Sequence, residues 1–83
     1  MTDEAVRTTV RDFIRKNFIF DESQPLTDDQ SLLGTGVLDS TGILELISFL
    51  EQTFSLKFAD SELVADNFDS VTKISSFLLN KKK

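Results

Sequence analysis

The chain of 83 residues has neither cysteine nor histidine. The first absence removes disulfides, thiolate metal sites and a thiol nucleophile. The second removes the usual general base near neutral pH and the commonest metal ligand. Tryptophan and tyrosine are missing too, so the aromatic character rests on eight phenylalanines, and one proline and three glycines leave few enforced breaks. No apolar run approaches the roughly 20 residues of a membrane span, and the polar start Met1-Thr2-Asp3-Glu4 is no signal peptide. Self-contained catalysis is therefore poorly supported. The expectation is a soluble, cytoplasmic, monomeric domain occupying residues 1–83. What the chain does have is a 40% hydrophobic and 28% charged composition, ordinary for a folded protein. A chain this short buries only roughly 60–65% of its unfolded surface, so its core must be small.

The net charge of −5 is unevenly spread. Residues 1–19 are slightly basic through Arg7, Arg11, Arg15 and Lys16, and the tail Lys81-Lys82-Lys83 is basic. Residues 20–80 hold eleven acids against Lys57 and Lys73, a net of −9. Such a body repels phosphate backbones, which argues against nucleic-acid binding, and attracts proteins with basic surfaces. Solubility alone is the plainer use of the same charge.

Helical periodicity dominates, and alternation with a period of two is absent, so the chain is expected to be all-α. Val6, Val10, Phe13 and Ile14 share one face of a helix over about 3–17. Thr2 is its cap, acids fill its first turn, and the pairs Asp3–Arg7 and Asp12–Lys16 support its outer side. Arg7, Arg11 and Arg15 form a basic stripe there, which is expected to be a solvated face. Ile43, Leu46, Ile47, Leu50 and Phe54 give a second helix over about 39–53, capped by Asp39 or Ser40. A brief helix over about 60–66 with Asp60 as cap follows, and then a last one over about 70–80 capped by Ser70, with Val71, Ile74, Phe77 and Leu78 facing inward. The expected architecture is a small four-helix bundle of three longer helices and one short one.

Between the first two helices, Gln24-Pro25, Thr27-Asp28-Asp29 and Gly34-Thr35-Gly36 mark a loop of about 20 residues. Loops of that length in compact domains are usually functional or packed. Leu26, Leu32, Leu33, Val37 and Leu38 are expected to pin it to the core, with a short turn near 29–33.

The loop delivers Asp39-Ser40 onto the start of the second helix. Most such pairs are only N-caps. A second role is open to Ser40, because a helix N-terminus tolerates a phosphate ester well and the helix body can stay packed behind it. Ser40 as a nucleophile would need an adjacent base, and Asp39 is a poor base for a hydroxyl. A calcium loop fails as well. Counting from Asp29, Gly34 is sixth as an EF-hand requires, but Leu33 is fifth and Ser40 twelfth, so no metal site is expected.

At these residues the chain resembles the acyl carrier proteins of the phosphopantetheine-dependent carrier family. Gly36-Val37-Leu38-Asp39-Ser40 followed by Ile43-Leu44-Glu45-Leu46 is similar to that family's signature. Ser31-Leu32-Leu33, Leu50 with Phe54, and Asn67-Phe68 with Ser70 extend the likeness over roughly residues 4–80. The resemblance implies that a phosphopantetheinyl transferase moves 4'-phosphopantetheine from coenzyme A onto Ser40, with Asp39 assisting. The arm's thiol would then carry an acyl-type group as a thioester to partner enzymes, the chain itself being non-catalytic. It further implies that Thr41, Leu44, Glu45, Ser48 and Glu51 form the docking face read by basic patches on a loading ligase and on acyl-processing enzymes. Thr41 and Gly42 depart from the usual apolar and acidic residues after the serine, and Gln52 and Thr53 stand where fatty-acid-synthesis members are acidic. The reading those departures favour is a specialised carrier: an acyl carrier of a specialised biosynthetic pathway such as secondary metabolism, or an aminoacyl, D-alanyl or peptidyl-type free-standing carrier. A small acidic helical adapter with no covalent group is the competing reading from another class.

Overall fold

The computed structural model describes residues 2–19, 23 and 25–81, which form three α-helices and two 3-10 turns, with no strand among those residues. The helices are α1 (Asp3–Phe18), α2 (Ser40–Phe54) and α3 (Val71–Lys81), and the 3-10 turns are Asp60–Glu62 and Ala65–Phe68. Gln24 of the expected turn and Lys82 and Lys83 of the basic tail lie outside the described residues.

The inward stripes follow the spacing of the apolar residues. Val6, Val10 and Ile14 of α1, Leu46 and Leu50 of α2, and Val71, Ile74 and Leu78 of α3 have no exposed surface. Leu32 and Leu38 of the loop and Phe68 of the second 3-10 turn enter the same core. Caps behave as their residue types dictate. Thr2 Oγ1 accepts from Ala5 N at 3.1 Å, and Ser70 Oγ accepts from Lys73 N at 3.0 Å. Ser55 ends α2 in the left-handed region (φ 54°). Its N–H and that of Leu56 both donate to the Glu51 carbonyl, so a carbonyl orphaned at the helix end is satisfied.

The short helix expected over 60–66 does not form. An α-helix there would need the Asp66 N–H to reach the Glu62 carbonyl, but Val64 N (2.9 Å) and the Asn67 side chain (3.0 Å) already occupy that oxygen. Leu63, at φ −84° and ψ 57°, makes the inverse γ-turn that this pairing requires. Leu63 and Val64 remain partly exposed, so no buried stripe pulls the segment into helix. The cap also differs. Asp60 does not cap the first 3-10 turn; instead the Glu62 carboxylate accepts from Ala59 N at 2.7 Å.

The basic stripe of α1 is a clamp at two of its positions rather than a solvated face. Arg7 Nη1 donates to Asp28 Oδ2 and to Thr72 Oγ1, both at 2.9 Å, while its Nε engages Asp3. Arg11 Nη1 donates to the other Asp28 oxygen at 2.6 Å. From α3, Thr72 adds its N–H to the Asp28 carbonyl and its hydroxyl to Asp29. Further along the loop, the Asp69 carboxylate takes the Ser31 hydroxyl at 2.7 Å and Leu33 N at 2.9 Å. Leu32, Val37 and Leu38 are buried as expected, whereas Leu33 is exposed. At the other end of the chain, Lys81 pairs with Glu62 at 2.8 Å and lies 5.6 Å from the centre of the Phe58 ring.

These contacts favour ionised carboxylates. The Arg11 guanidinium foremost, with Arg7, holds Asp28 below the ordinary aspartate range; the Leu33 N–H foremost, with Ser31, does so for Asp69; the Ser75 hydroxyl foremost, with Arg7, does so for Asp3. A depressed folded pKa contributes stability that is present above the unfolded value, about pH 4, and is lost as pH falls through the lower folded values. Thermal midpoints measured from pH 7 down to 2 should accordingly be flat to about pH 5 and fall steeply below about pH 4. Asp28→Asn should flatten part of that fall, and an acid limb unchanged in that variant would contradict the assignment.

Candidate functional site

The site is built where the loop meets α2. Gly36 occupies φ +77°, a backbone conformation side chains disfavour, and closes the turn over 32–36. Leu38 N then donates to the Leu32 carbonyl at 3.1 Å, which sets the path into the helix. Asp39 is extended (φ −110°, ψ −172°), as an N-cap residue should be. Its Oδ1 accepts from Gly42 N at 2.7 Å, and its carbonyl accepts from Ile43 N at 2.9 Å.

Of the two candidate caps, Asp39 takes the part. Ser40 is consequently the first residue of α2 rather than its cap, it is exposed, and its hydroxyl has no hydrogen-bond partner among the described residues. An unpartnered hydroxyl at the positive end of a helix can accept a phosphoryl group without breaking any contact of the fold. The shallow groove beside it, about 290 Å³, is lined by Phe18, Gly36, Val37, Asp39, Thr41, Gly42 and Glu45.

Thr41, Leu44, Glu45 and Ser48 are all exposed and, with Ser40, occupy one outward stripe of α2 at spacings of three and four. Leu44 is 64% exposed, which places it on the surface rather than at the edge of the core. Glu51 stands apart from the other four. Its side chain is half-buried, and its Oε2 accepts from Phe58 N at 3.1 Å, so that carboxylate holds the linker after α2. With Asp39, Glu45 and Glu51 and no basic residue, α2 presents a negative surface.

Some exposed or loop-holding residues escaped the sequence reading. Leu63 and Val64 are two further exposed apolar side chains, 40% and 48% accessible. The signal available was two adjacent apolar residues without the spacing of three or four that would bury them. Asp69 and Asp28, which hold the loop, had no local signal, because their partners lie tens of residues away. No group of three or more potential metal-ligating side chains clusters among the described residues.

The chain matches no family model. Three proteins of Streptococcus pyogenes, from serotype M5 (strain Manfredo), serotype M49 (strain NZ131) and serotype M1, are each 40% identical to it over 70 residues, spanning 84% of this chain and 86% of the relative. All three are D-alanyl carrier proteins. Among solved structures, a holo acyl carrier protein from Nitrosomonas europaea, determined in solution by NMR, superimposes with a TM-score of 0.68. It is 29% identical, and the match covers 95% of this chain and 93% of that one.

Gly42 has a packing reason. A Cβ there would lie 3.2 Å from Phe18 Cε1 and from Leu38 Cδ2, and 3.4 Å from Asp39 Oδ1. Helix propensity alone gives Gly42→Ala a gain of up to about 1 kcal/mol. The crowding of α1's last ring against α2's first turn should cancel that gain, leaving stability in urea unfolding equal to or below that of the parent. A full propensity gain would show that the close approach carries no constraint.

Proposed function

Since the chain belongs to the family of phosphopantetheine-bearing carrier proteins, which carry acyl or aminoacyl groups, we propose that Ser40 is its attachment residue and that its cargo is a short aminoacyl group of the D-alanyl kind. The observation that carries the first part is the division of labour at the head of α2. Asp39 supplies the cap, and the neighbouring hydroxyl is left exposed and unengaged. Members of the family bear covalent phosphopantetheine, whose thiol holds the cargo as a thioester. That thiol supplies the reactive sulfur that a chain without cysteine lacks. The chain's own residues offer the hydroxyl, fix its place by the Asp39 cap, and set it at the positive end of α2, which favours an ester phosphate.

On this reading the chain is a shuttle, not a catalyst. A phosphopantetheinyl transferase loads the arm, and a ligase then charges it. Thr41, Leu44, Glu45 and Ser48 form the face such enzymes meet. Glu45 attracts their basic patches and Leu44 gives the contact its apolar centre. Asp39 borders the same groove, which suits it to a part in modification.

Two observations favour a small cargo over a fatty acyl chain. The chain's relatives named above are D-alanyl carriers. Phe58, Phe68 and Phe77 also pack ring against ring at 5.4–5.7 Å, in keeping with a tightly packed core. A cargo held outside such a core needs no cavity.

Incubating the apo chain with coenzyme A and a broad-specificity transferase should add one phosphopantetheine by intact mass, and Ser40→Ala should abolish the addition. Because Asp39 is the cap, Ser40→Ala should leave the unfolding midpoint nearly unchanged, well short of the roughly 0.5–2 kcal/mol lost with a true cap residue. No added mass on the parent chain would refute the carrier assignment of Ser40. For cargo, a D-alanine-activating ligase should charge the holo form, and efficient elongation by a fatty acid synthase would overturn the aminoacyl reading.

A further inference from the structure

Asp69 lies between the second 3-10 turn and the cap of α3, far in sequence from Ser40. Three consecutive loop residues nevertheless end on it. Ser31 Oγ donates to its Oδ2 (2.7 Å), Leu33 N to its Oδ1 (2.9 Å) and Leu32 N to its carbonyl (2.6 Å). Among the described residues, every hydrogen bond that joins segment 31–38 to another part of the chain beyond the loop ends on Asp69. The restraint travels onward in one step, since the Leu32 carbonyl takes the Leu38 N–H (3.1 Å) and Leu38 precedes the cap residue Asp39. Both leucines are buried, at 0% and 2% exposure, so the Leu32–Leu38 bond is shielded from water. Ser31 Oγ also accepts from Gly34 N at 2.8 Å, so the same carboxylate steadies the turn through the hydroxyl.

We infer that Asp69 is a positioning residue for the modification of Ser40: through its carboxylate it holds the loop that presents Asp39 and Ser40 to the transferase. The inference rests on Ser40 being the attachment residue. Its physical content is entropic. A loop held before the encounter costs nothing to order during it, whereas a loosened one must be fixed each time the transferase binds. The effect therefore falls on KM rather than kcat. Loss of the carboxylate leaves the Leu32 N bond and the Ser70 cap of α3 in place, because the first ends on a backbone carbonyl and the second on another side chain.

The test uses the full apo chain, coenzyme A and a broad-specificity transferase, with rates followed by intact mass. Asp69→Ala should raise KM for the carrier about five- to tenfold with kcat within about twofold of the parent. Asp69→Asn should recover most of this, since its amide oxygen still accepts from Leu33 N and its NH2 can donate to Ser31 Oγ. Ile74→Val supplies the structural control, as it thins the core at a residue that makes no loop contact through a hydrogen bond. It should lower the thermal midpoint and leave KM unchanged. In parallel, amide exchange on the unmodified chains should show Leu38 N–H exchanging at least tenfold faster in Asp69→Ala and near the parent rate in Asp69→Asn. Equal KM for parent and Asp69→Ala, a KM rise in Ile74→Val of the same size, or unchanged Leu38 exchange would each overturn the inference. A parent chain that gains no phosphopantetheine would instead refute Ser40 as the attachment residue, and the exchange result would still decide whether Asp69 holds the loop.

Discussion

A polar connection of this length has backbone donors that must be satisfied somewhere, and its own turns satisfy only some of them. The Asp69 carboxylate takes one of them, Leu33 N, and side-chain ties at Asp69 and Asp28 hold the loop in place. Asp28 receives Arg7 and Arg11 from α1, while Asp69 receives Ser31 and Leu33 of the loop. In these ties a charged group meets directed donors, which makes them stronger than neutral hydrogen bonds and specific in geometry. They fix the loop to α1 and to the entry of α3 at once, and Leu32, Val37 and Leu38 can then stay buried. Were the loop released, the head of α2 would keep its helix but lose its fixed approach.

On the proposed reading of Ser40 that approach matters, because the first turn of α2 then has two tasks that compete for the same atoms. A helix start must satisfy its free N–H groups, and a serine at that place would ordinarily be consumed in doing so. Here Asp39 bonds Gly42 N and frees the next side chain. Gly42 lets Phe18 of α1 press against the turn, so the position of the exposed serine is set by packing from behind and by the cap from the side. The proposed attachment hydroxyl thus sits on the surface, held by packing beneath it and a cap beside it.

The rest of α2 shows the same separation. Its inner stripe, Leu46 and Leu50 above all, has no exposed surface, and its outer stripe carries Leu44 and Glu45 into solvent. Glu51, similar to Glu45 in sequence context, serves the fold through Phe58 N instead. Of these two glutamates, one is spent on a backbone N–H and the other stays in solvent, free for the proposed docking role. Phe58, Phe68 and Phe77 pack ring against ring, which suits the small cargo proposed above.

The sequence by itself determined the three long helices, their inward faces, the caps Thr2 and Ser70, and the place of Ser40 at the head of α2. Each of these depends on residues within a turn or two of one another, where spacing and side-chain chemistry suffice. Resemblance in the Asp39-Ser40 segment likewise reached the carrier family. The folded structure decided what spacing alone left open. It chose Asp39 over Ser40 as the cap, turned Arg7 and Arg11 from a solvated stripe into a clamp on Asp28, and replaced the expected fourth helix with two 3-10 turns around the Glu62 carbonyl. A charged side chain reads the same in sequence whether it meets water or a carboxylate, because the partner that settles its role is brought to it only by the fold.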